Sequence, residues 1–352
     1  MLIFRTGSIG DAVVSLPAMH VIARAFPDSH RVVLTNRPVM AKTSAVDAVL
    51  GPTGLAHETI HFETGQTSPA ALWALLRQLR RHRPKTLIWL SEGRGRISTL
   101  VLRTLFALAG ARRFIGVPGG DYKHIHRQLI DSDNWESEAH RLARAVGELG
   151  DAALDEPVSW DFHFSDAERQ GADSLLAGWP GADRFIGFSI GGKASVKDWG
   201  DDNWRQTLGR LSDKGIGLVL FGATDEAERS RALAKDWPGP VLDLCGRASP
   251  RVSSLVLSKA LLYLGHDSGP MHLAAATGTP AVAMFAGQRK PGVWFPHGAR
   301  HHPLYNQTPC FGCYLDVCTE FQKKCIMGIS PDAVVAAVRQ VLAESRTEQP
   351  EP

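Results

Sequence analysis

Apolar runs of strand length, each leading through a turn into a segment of helical apolar spacing, recur along this chain, and the rhythm runs through twice. In the first pass residues 2–4, 31–35, 86–90 and 114–117 read as strands and residues 12–25, 70–81 and 99–109 as helices. Pro17 lies in the first turn or at a kink of the first helix, and Pro84 follows the second. In the second pass residues 185–189, 217–221, 241–244, 261–264 and 281–285 read as strands, and residues 204–214, 225–235, 253–259, 271–277 and 331–344 as helices. Strand, helix, strand in this order implies a parallel, doubly wound α/β sheet, because a parallel partner is reached only through a crossover.

Two such units suit a chain of 352 residues. The expected division is a first domain at 1–165, an inter-domain region at 166–183 carrying a short amphipathic helix, a second domain at 184–345 and a frayed tail at 346–352. Ligands of doubly wound sheets sit beyond the carboxyl ends of the strands. A central cleft faced by both domains is therefore the expected place for chemistry.

Composition removes several classes. Hydrophobic residues make up 44% and charged residues 21%, the proportions of an ordinary soluble chain. A net charge of +3 is too weak to argue for nucleic acid and suits an anionic ligand or membrane surface. No apolar run reaches the roughly 18 residues of a membrane span. The N-terminus enters a strand directly, without the order of a signal peptide, so a cytoplasmic protein is expected.

Three constellations carry chemistry. Asp267-Ser268-Gly269-Pro270-Met271-His272 follows a strand and opens a helix rich in small residues. Asp and Ser are good N-caps, Pro suits the first turn, and the free N–H groups with the helix dipole suit a diphosphate. A capped helix with no ligand reads equally well from these residues alone. Ser189-Ile190-Gly191-Gly192-Lys193 through Lys197-Asp198-Trp199 places two glycines and two lysines after a strand. Glycine permits close backbone approach and lysine supplies a point charge for phosphate, although the spacing is not that of a Walker loop. By itself this stretch reads first as a solvated basic loop. Arg5 through Pro17 is a strand, a loop with Gly7 and Gly10, and a helix with Asp11 in its first turn. Its GxxG is not a dinucleotide fingerprint, and a capping role for Asp11 is the ordinary alternative.

In this order the three pieces resemble glycosyltransferase family 9, the ADP-heptose:lipopolysaccharide heptosyltransferases. The resemblance spans roughly residues 1–343 and rests on Gly10-Asp11 with Leu16-Pro17, on Lys197-Asp198-Trp199, and above all on Asp267 through Ala276. It implies a GT-B fold of two Rossmann-like domains and inverting transfer of heptose from ADP-heptose to the lipopolysaccharide inner core. It implies Asp11 as general base and Lys197 on the leaving phosphate. The donor would lie against Gly192, Lys193, Glu226, Asp267, Ser268, Gly269, Met271 and His272, with Asp225 and Glu228 as alternatives to Glu226 for the ribose. The acceptor would meet Gly10, Arg5 and Arg96, with Arg94 and Lys123 as further candidate cations. Implied partners are an ADP-sugar, an anionic glycolipid and the inner membrane as a peripheral surface, with no nucleic acid. Alternatives of the same fold are another nucleotide sugar, a protein acceptor, or a binding protein without catalysis. A sugar-nucleotide epimerase of similar fold is disfavoured by the Gly10-Asp11 and Asp267–Ala276 motifs.

No cofactor is required by that chemistry. Cys310, Cys313, Cys318 and Cys325 nevertheless crowd into one stretch with spacing C-x2-C-x4-C-x6-C. A structural zinc or iron, one or two disulfides, and four free thiols all stand as readings of it.

Overall fold

In a computed structural model of the chain, the structure describes residues 1–37, 45–65, 68–93, 95–119, 125–130, 132–192, 194–213 and 215–347. The chain divides into two compact units, Met1–Phe164 and Ser165–Pro352.

The first unit is a five-stranded parallel sheet in the order β3-β2-β1-β4-β5. Its strands are β1 (Leu2–Phe4), β2 (Val32–Asn36), β3 (Glu58–Phe62), β4 (Thr86–Trp89) and β5 (Arg113–Ile115). The stretch expected as one helix at 12–25 is two, α1 (Ile9–Val13) and α2 (Leu16–Ala25), with Pro17 in the first turn of the second. Proline removes a backbone donor, and only a first turn leaves that donor unneeded. After α3 (Ala45–Leu50), helices α4 (Pro69–Arg81) and α5 (Arg96–Ala109) lie side by side. Leu76, Leu79, Leu105 and Phe106 pack with Phe4, Leu34, Leu87 and Trp89 of the sheet into one apolar cluster. Ser68 caps α4 by accepting from the Ala71 N–H. Helix α6 (Glu138–Ala145) packs against α2.

The second unit has six parallel strands in the order β11-β10-β9-β6-β7-β8. They are β6 (Phe185–Ser189), β7 (Gly217–Leu220), β8 (Val241–Asp243), β9 (Leu262–His266), β10 (Ala281–Phe285) and β11 (His302–Tyr305). Helix α7 (Asp166–Leu176), from the expected inter-domain region, belongs to this unit. It packs on α10 (Pro250–Leu257), where Arg251 holds Glu168 at 2.9 Å and lowers its carboxyl to about 2. Helices α8 (Asp201–Leu211), α9 (Ala227–Ala234), α11 (Gly269–Ala276), α12 (Lys324–Met327) and α13 (Pro331–Thr347) complete the unit. Trp199 and Trp204 meet edge to face with centroids 5.0 Å apart at the centre of its core.

In both sheets the strand order reverses beside the unit's first strand. The loops after β1 and β4 diverge there in one sheet, as do those after β6 and β9 in the other. Ligands of open α/β sheets bind at such divergences.

One buried charge cluster braces the first of these points. Glu138 is fully buried and takes Arg5 at 2.9 Å, Arg141 at 2.7 Å and His126 at 3.0 Å. Burial pushes its carboxyl up, but the Arg141 guanidinium, the His126 bond and the Arg5 charge overcome that and hold it well below its usual value. Because the folded value is depressed, the stabilisation is fully present above the unfolded value of about 4.3 and fades as pH falls through the folded one. Glu138→Ala leaves two buried guanidinium groups without their carboxylate. It is expected to cost about 3–5 kcal/mol at neutral pH. Denaturant unfolding of both proteins across an acid series should show that deficit shrinking as the native protein loses the same ion pairs.

Candidate functional site

At the end of β1 the chain turns through Gly7, whose φ of +134° is a glycine conformation. A Cβ at Gly7 would stand 2.2 Å from the Asp11 Cγ. The turn therefore closes directly against the Asp11 carboxylate. The Ser8 N–H and Oγ–H both donate to Asp11 Oδ2, at 2.8 and 2.9 Å. Arg5 Nε and Nη2 donate to the Asp11 carbonyl at 3.1 and 2.6 Å, and Nη2 lies 3.5 Å from Oδ1. Asp11 thus caps its helix, as the ordinary reading of the sequence had it, and keeps a partly exposed carboxylate at the sheet's switch point. Gly10 is buried within the same short helix.

Arg5, expected at the acceptor, is placed otherwise. It is wholly buried, and its remaining donors go to the Leu90 carbonyl and to Glu138, both at 2.9 Å. Every donor of its fork is engaged inside the protein, and two of its nitrogens hold the Asp11 carbonyl. Arg96 opens α5 and is exposed. It lines a cavity of about 760 Å³ with Gly116, Pro118, Arg141 and Arg144. Arg94, Lys123 and Lys193 lie outside the described residues.

In the second unit, Lys197 ends a 3-10 turn (Ser195–Lys197) after β6, and Asp267 follows β9. Lys197 Nζ donates to Asp267 Oδ2 at 2.6 Å and to the Asp267 carbonyl at 3.2 Å. This pair spans the switch point. Ser268 is the N-cap of the Gly269–Ala276 helix, and its Oγ lies 3.2 Å from the Tyr263 hydroxyl. Met271 and His272 are buried in the first turn, with His272 Nε2 3.9 Å from Asp267 Oδ1. His266 is buried and neutral, because desolvation lowers it to about 4. It joins Ile190 O at 3.0 Å to the Trp199 N–H at 3.3 Å, which fixes the Lys197 loop from behind.

Glu226 sits where two glycines leave room. A Cβ at Gly191 or at Gly222 would come within 2.8 or 2.6 Å of its carboxylate oxygens. The Ala223 N–H donates to it at 2.7 Å, and Gly192 donates as well. Burial raises its carboxyl above the usual value, against those backbone bonds. Asp225 and Glu228 are exposed, so of the three acids Glu226 is the one tied to the glycine loop.

The four clustered cysteines are free thiols, and Cys245 is a fifth. Among the described residues no three Cys, His, Asp or Glu side chains are grouped to hold a metal, so of the three readings of the cysteines the structure gives the zinc or iron no ligand set. The segment instead covers the Lys197 loop. Asp316 O accepts from Val196 N and Ser195 Oγ at 3.1 and 3.2 Å, and Lys323 Nζ donates to Asp198 O at 2.8 Å. Nothing in the periodicity of that stretch signalled this. Glu138, Arg141 and Arg144 also went unread, because their role depends on burial that only the fold reveals.

A family model described as glycosyltransferase family 9 (heptosyltransferase) matches residues 126–324, more than half of the chain. The chain belongs to glycosyltransferase family 9. It is similar to lipopolysaccharide heptosyltransferase 1 of Pseudomonas aeruginosa, with 25% identity over 333 residues, 91% of this chain and 87% of the relative. The crystal structure of the family 9 glycosyl transferase from Veillonella parvula superposes with a TM-score of 0.70 at 18% identity, covering 97% of each chain. The E. coli heptosyltransferase WaaC with ADP-2-deoxy-2-fluoro heptose gives 0.59 at 19% identity, over 97% of this chain and 98% of that one. The GT-B class and glycosyltransferase activity expected from the sequence stand with the family.

The thiols give a direct check on the cysteine segment. The Lys323 and Phe321 N–H groups hold the Cys318 thiol below its usual value, whereas burial and Asp243 push Cys245 up to about 12. Mapped alkylation of the native protein should label Cys318 first and leave buried Cys245 and Cys325 silent until denaturation. Protection of all four clustered thiols, released only by a chelator, would restore the metal site.

Proposed function

We propose that the protein transfers heptose from ADP-heptose to an anionic lipopolysaccharide inner-core acceptor, with inversion, at the cytoplasmic face of the inner membrane. The observation that carries the reading is the Lys197–Asp267 pair at the head of the Gly269–Ala276 helix, inside the motif that marks the family. A leaving diphosphate gains charge as the sugar departs. A lysine ammonium and the N–H groups at a helix start stabilise such charge without reorganising. Glu226, held by the Ala223 and Gly192 N–H groups, offers its carboxylate to a ribose hydroxyl.

A sugar hydroxyl is a weak nucleophile near neutral pH, and a carboxylate within reach removes its proton as the new bond forms. Asp11 takes that part. Its carboxylate is fixed by Ser8, while its backbone is fixed by Arg5. Attack from the face opposite the departing ADP inverts the anomeric centre. Arg96, beside Arg144 in the first unit's cavity, suits the phosphates or carboxylates of an inner-core acceptor. The scheme uses side chains and backbone N–H groups and calls on no cofactor.

Thermal shifts with ADP, UDP, GDP and TDP test the donor. ADP should raise the melting temperature most, a ligand at a hundredfold over its Kd contributing about 2.7 kcal/mol. A larger shift with another nucleotide would overturn the donor assignment. Asp11→Ala should lower turnover by about 10²–10⁴ and leave ADP affinity nearly unchanged. Lys197→Ala should weaken ADP binding and slow transfer together. Near-normal turnover in the first variant, or unchanged affinity and rate in the second, removes that residue from the mechanism.

A further inference from the structure

Helix α5 is apolar on two sides. Leu105, Phe106 and Ala109 face the sheet and are buried. Ile97, Leu100, Val101 and Leu108 recur at the spacing of a second stripe and are 81%, 63%, 48% and 54% exposed. A helix that is apolar on both sides is normally buried. This one is not, and Trp73 of the neighbouring α4 adds a ring that is 59% exposed. The helices are joined at their C-terminal ends, where Arg80 Nε donates to Leu108 O at 3.0 Å.

The sequence that carries these two helices is one-sided in charge. Between Ser68 and Arg113 the sequence carries ten Lys and Arg against a single acid, Glu92, although the whole chain has a net charge of only +3. Along α4, Trp73, Arg77 and Arg81 follow one another at helical spacing, and the Arg77 guanidinium stacks over the Trp73 ring at 5.1 Å. Scattered exposed apolar residues need no explanation, but a stripe of them along one helix, beside a helix with exposed Trp73, Arg77, Arg80 and Arg81, does.

We infer that the outward face of α4 and α5 docks the protein on an anionic lipid bilayer. An apolar stripe that enters the acyl boundary, arginines that reach headgroup phosphates on long stems, and a tryptophan at the interface are the three parts of such a surface. A second copy of the chain fits the face poorly, because a two-fold contact would set the same cations against each other. A nucleic acid would answer the arginines and leave the Ile97–Leu108 stripe without a partner. No helix among the described residues is long and apolar enough to cross a membrane, so this mode is attachment to a surface. The inference deepens the lipid-borne acceptor proposed above, and its purpose rests on that reading.

The test is flotation of the full chain with vesicles of phosphatidylglycerol and phosphatidylcholine, against phosphatidylcholine alone. Binding is expected only to the anionic vesicles, falling with salt. Leu100→Ser with Leu108→Ser, and separately Arg77→Glu with Arg81→Glu, should each lower it at least about fivefold. Both variants should keep the native melting temperature and full transfer to a soluble, deacylated acceptor. Equal binding by the variants, or no binding to anionic vesicles, overturns the inference. Salt-sensitive binding to RNA without binding to vesicles, or self-association by light scattering that the variants abolish, assigns the face to another partner and overturns it too. Intact vesicle binding with no transfer to the soluble acceptor would sink the proposed reaction and leave the docking face standing.

Discussion

A parallel strand cannot be closed by a tight turn; each must be followed by a crossover that returns the chain to the end at which the strand began. All the loops leaving carboxyl ends therefore gather on one side. Where the strand order reverses, two of them part and leave a gap. In this chain both gaps are bridged by a cation. Arg5 ties the loop after β1 to Leu90 and Glu138, and Lys197 ties the loop after β6 to Asp267. The residues proposed for proton removal and for donor phosphate stand at these two gaps.

The two cations do different work because their surroundings differ. Arg5 is sealed from water, and its guanidinium fork is satisfied in full by carbonyls and carboxylates. Such a group specifies geometry, and removing a partner is expensive. Lys197 keeps some exposure and spends two of its three donors on Asp267. An ammonium held this way remains able to meet an incoming oxygen, which the buried guanidinium cannot do.

How much of this was legible in the sequence varied with the physics involved. The central strands of the second unit were plain, because a strand buried on both faces shows as a short apolar run: Phe185–Ser189 and Ala281–Phe285 are buried throughout. The edge strands Glu58–Phe62 and His302–Tyr305 were missed. Each is half exposed, and the latter carries Pro303, which only an edge tolerates. Asp11, Lys197 and Asp267 could be singled out because caps, glycines and lysines occupy fixed places around a strand end. Arg5 was misjudged for the opposite reason. Its identity says cation, but its partner Glu138 lies far along the chain, and nothing local marks the pair as buried.

The Lys197–Asp267 pair also bears on why donor chemistry would sit at this helix and not at another. Free N–H groups and a dipole are common to all helix starts, and alone they bind anions weakly. Here a carboxylate stands next to them, which by itself would repel a diphosphate. The lysine cancels that charge and is held on the spot by two hydrogen bonds, so its side-chain freedom is already restricted before any ligand arrives. Behind the loop the Trp199 N–H donates to His266, whose ring meets Trp204 edge to face, which fixes the backbone two residues after the lysine. On the proposed reaction Asp267 would aim Lys197, and the phosphate would meet the ammonium and the backbone N–H groups and not the carboxylate.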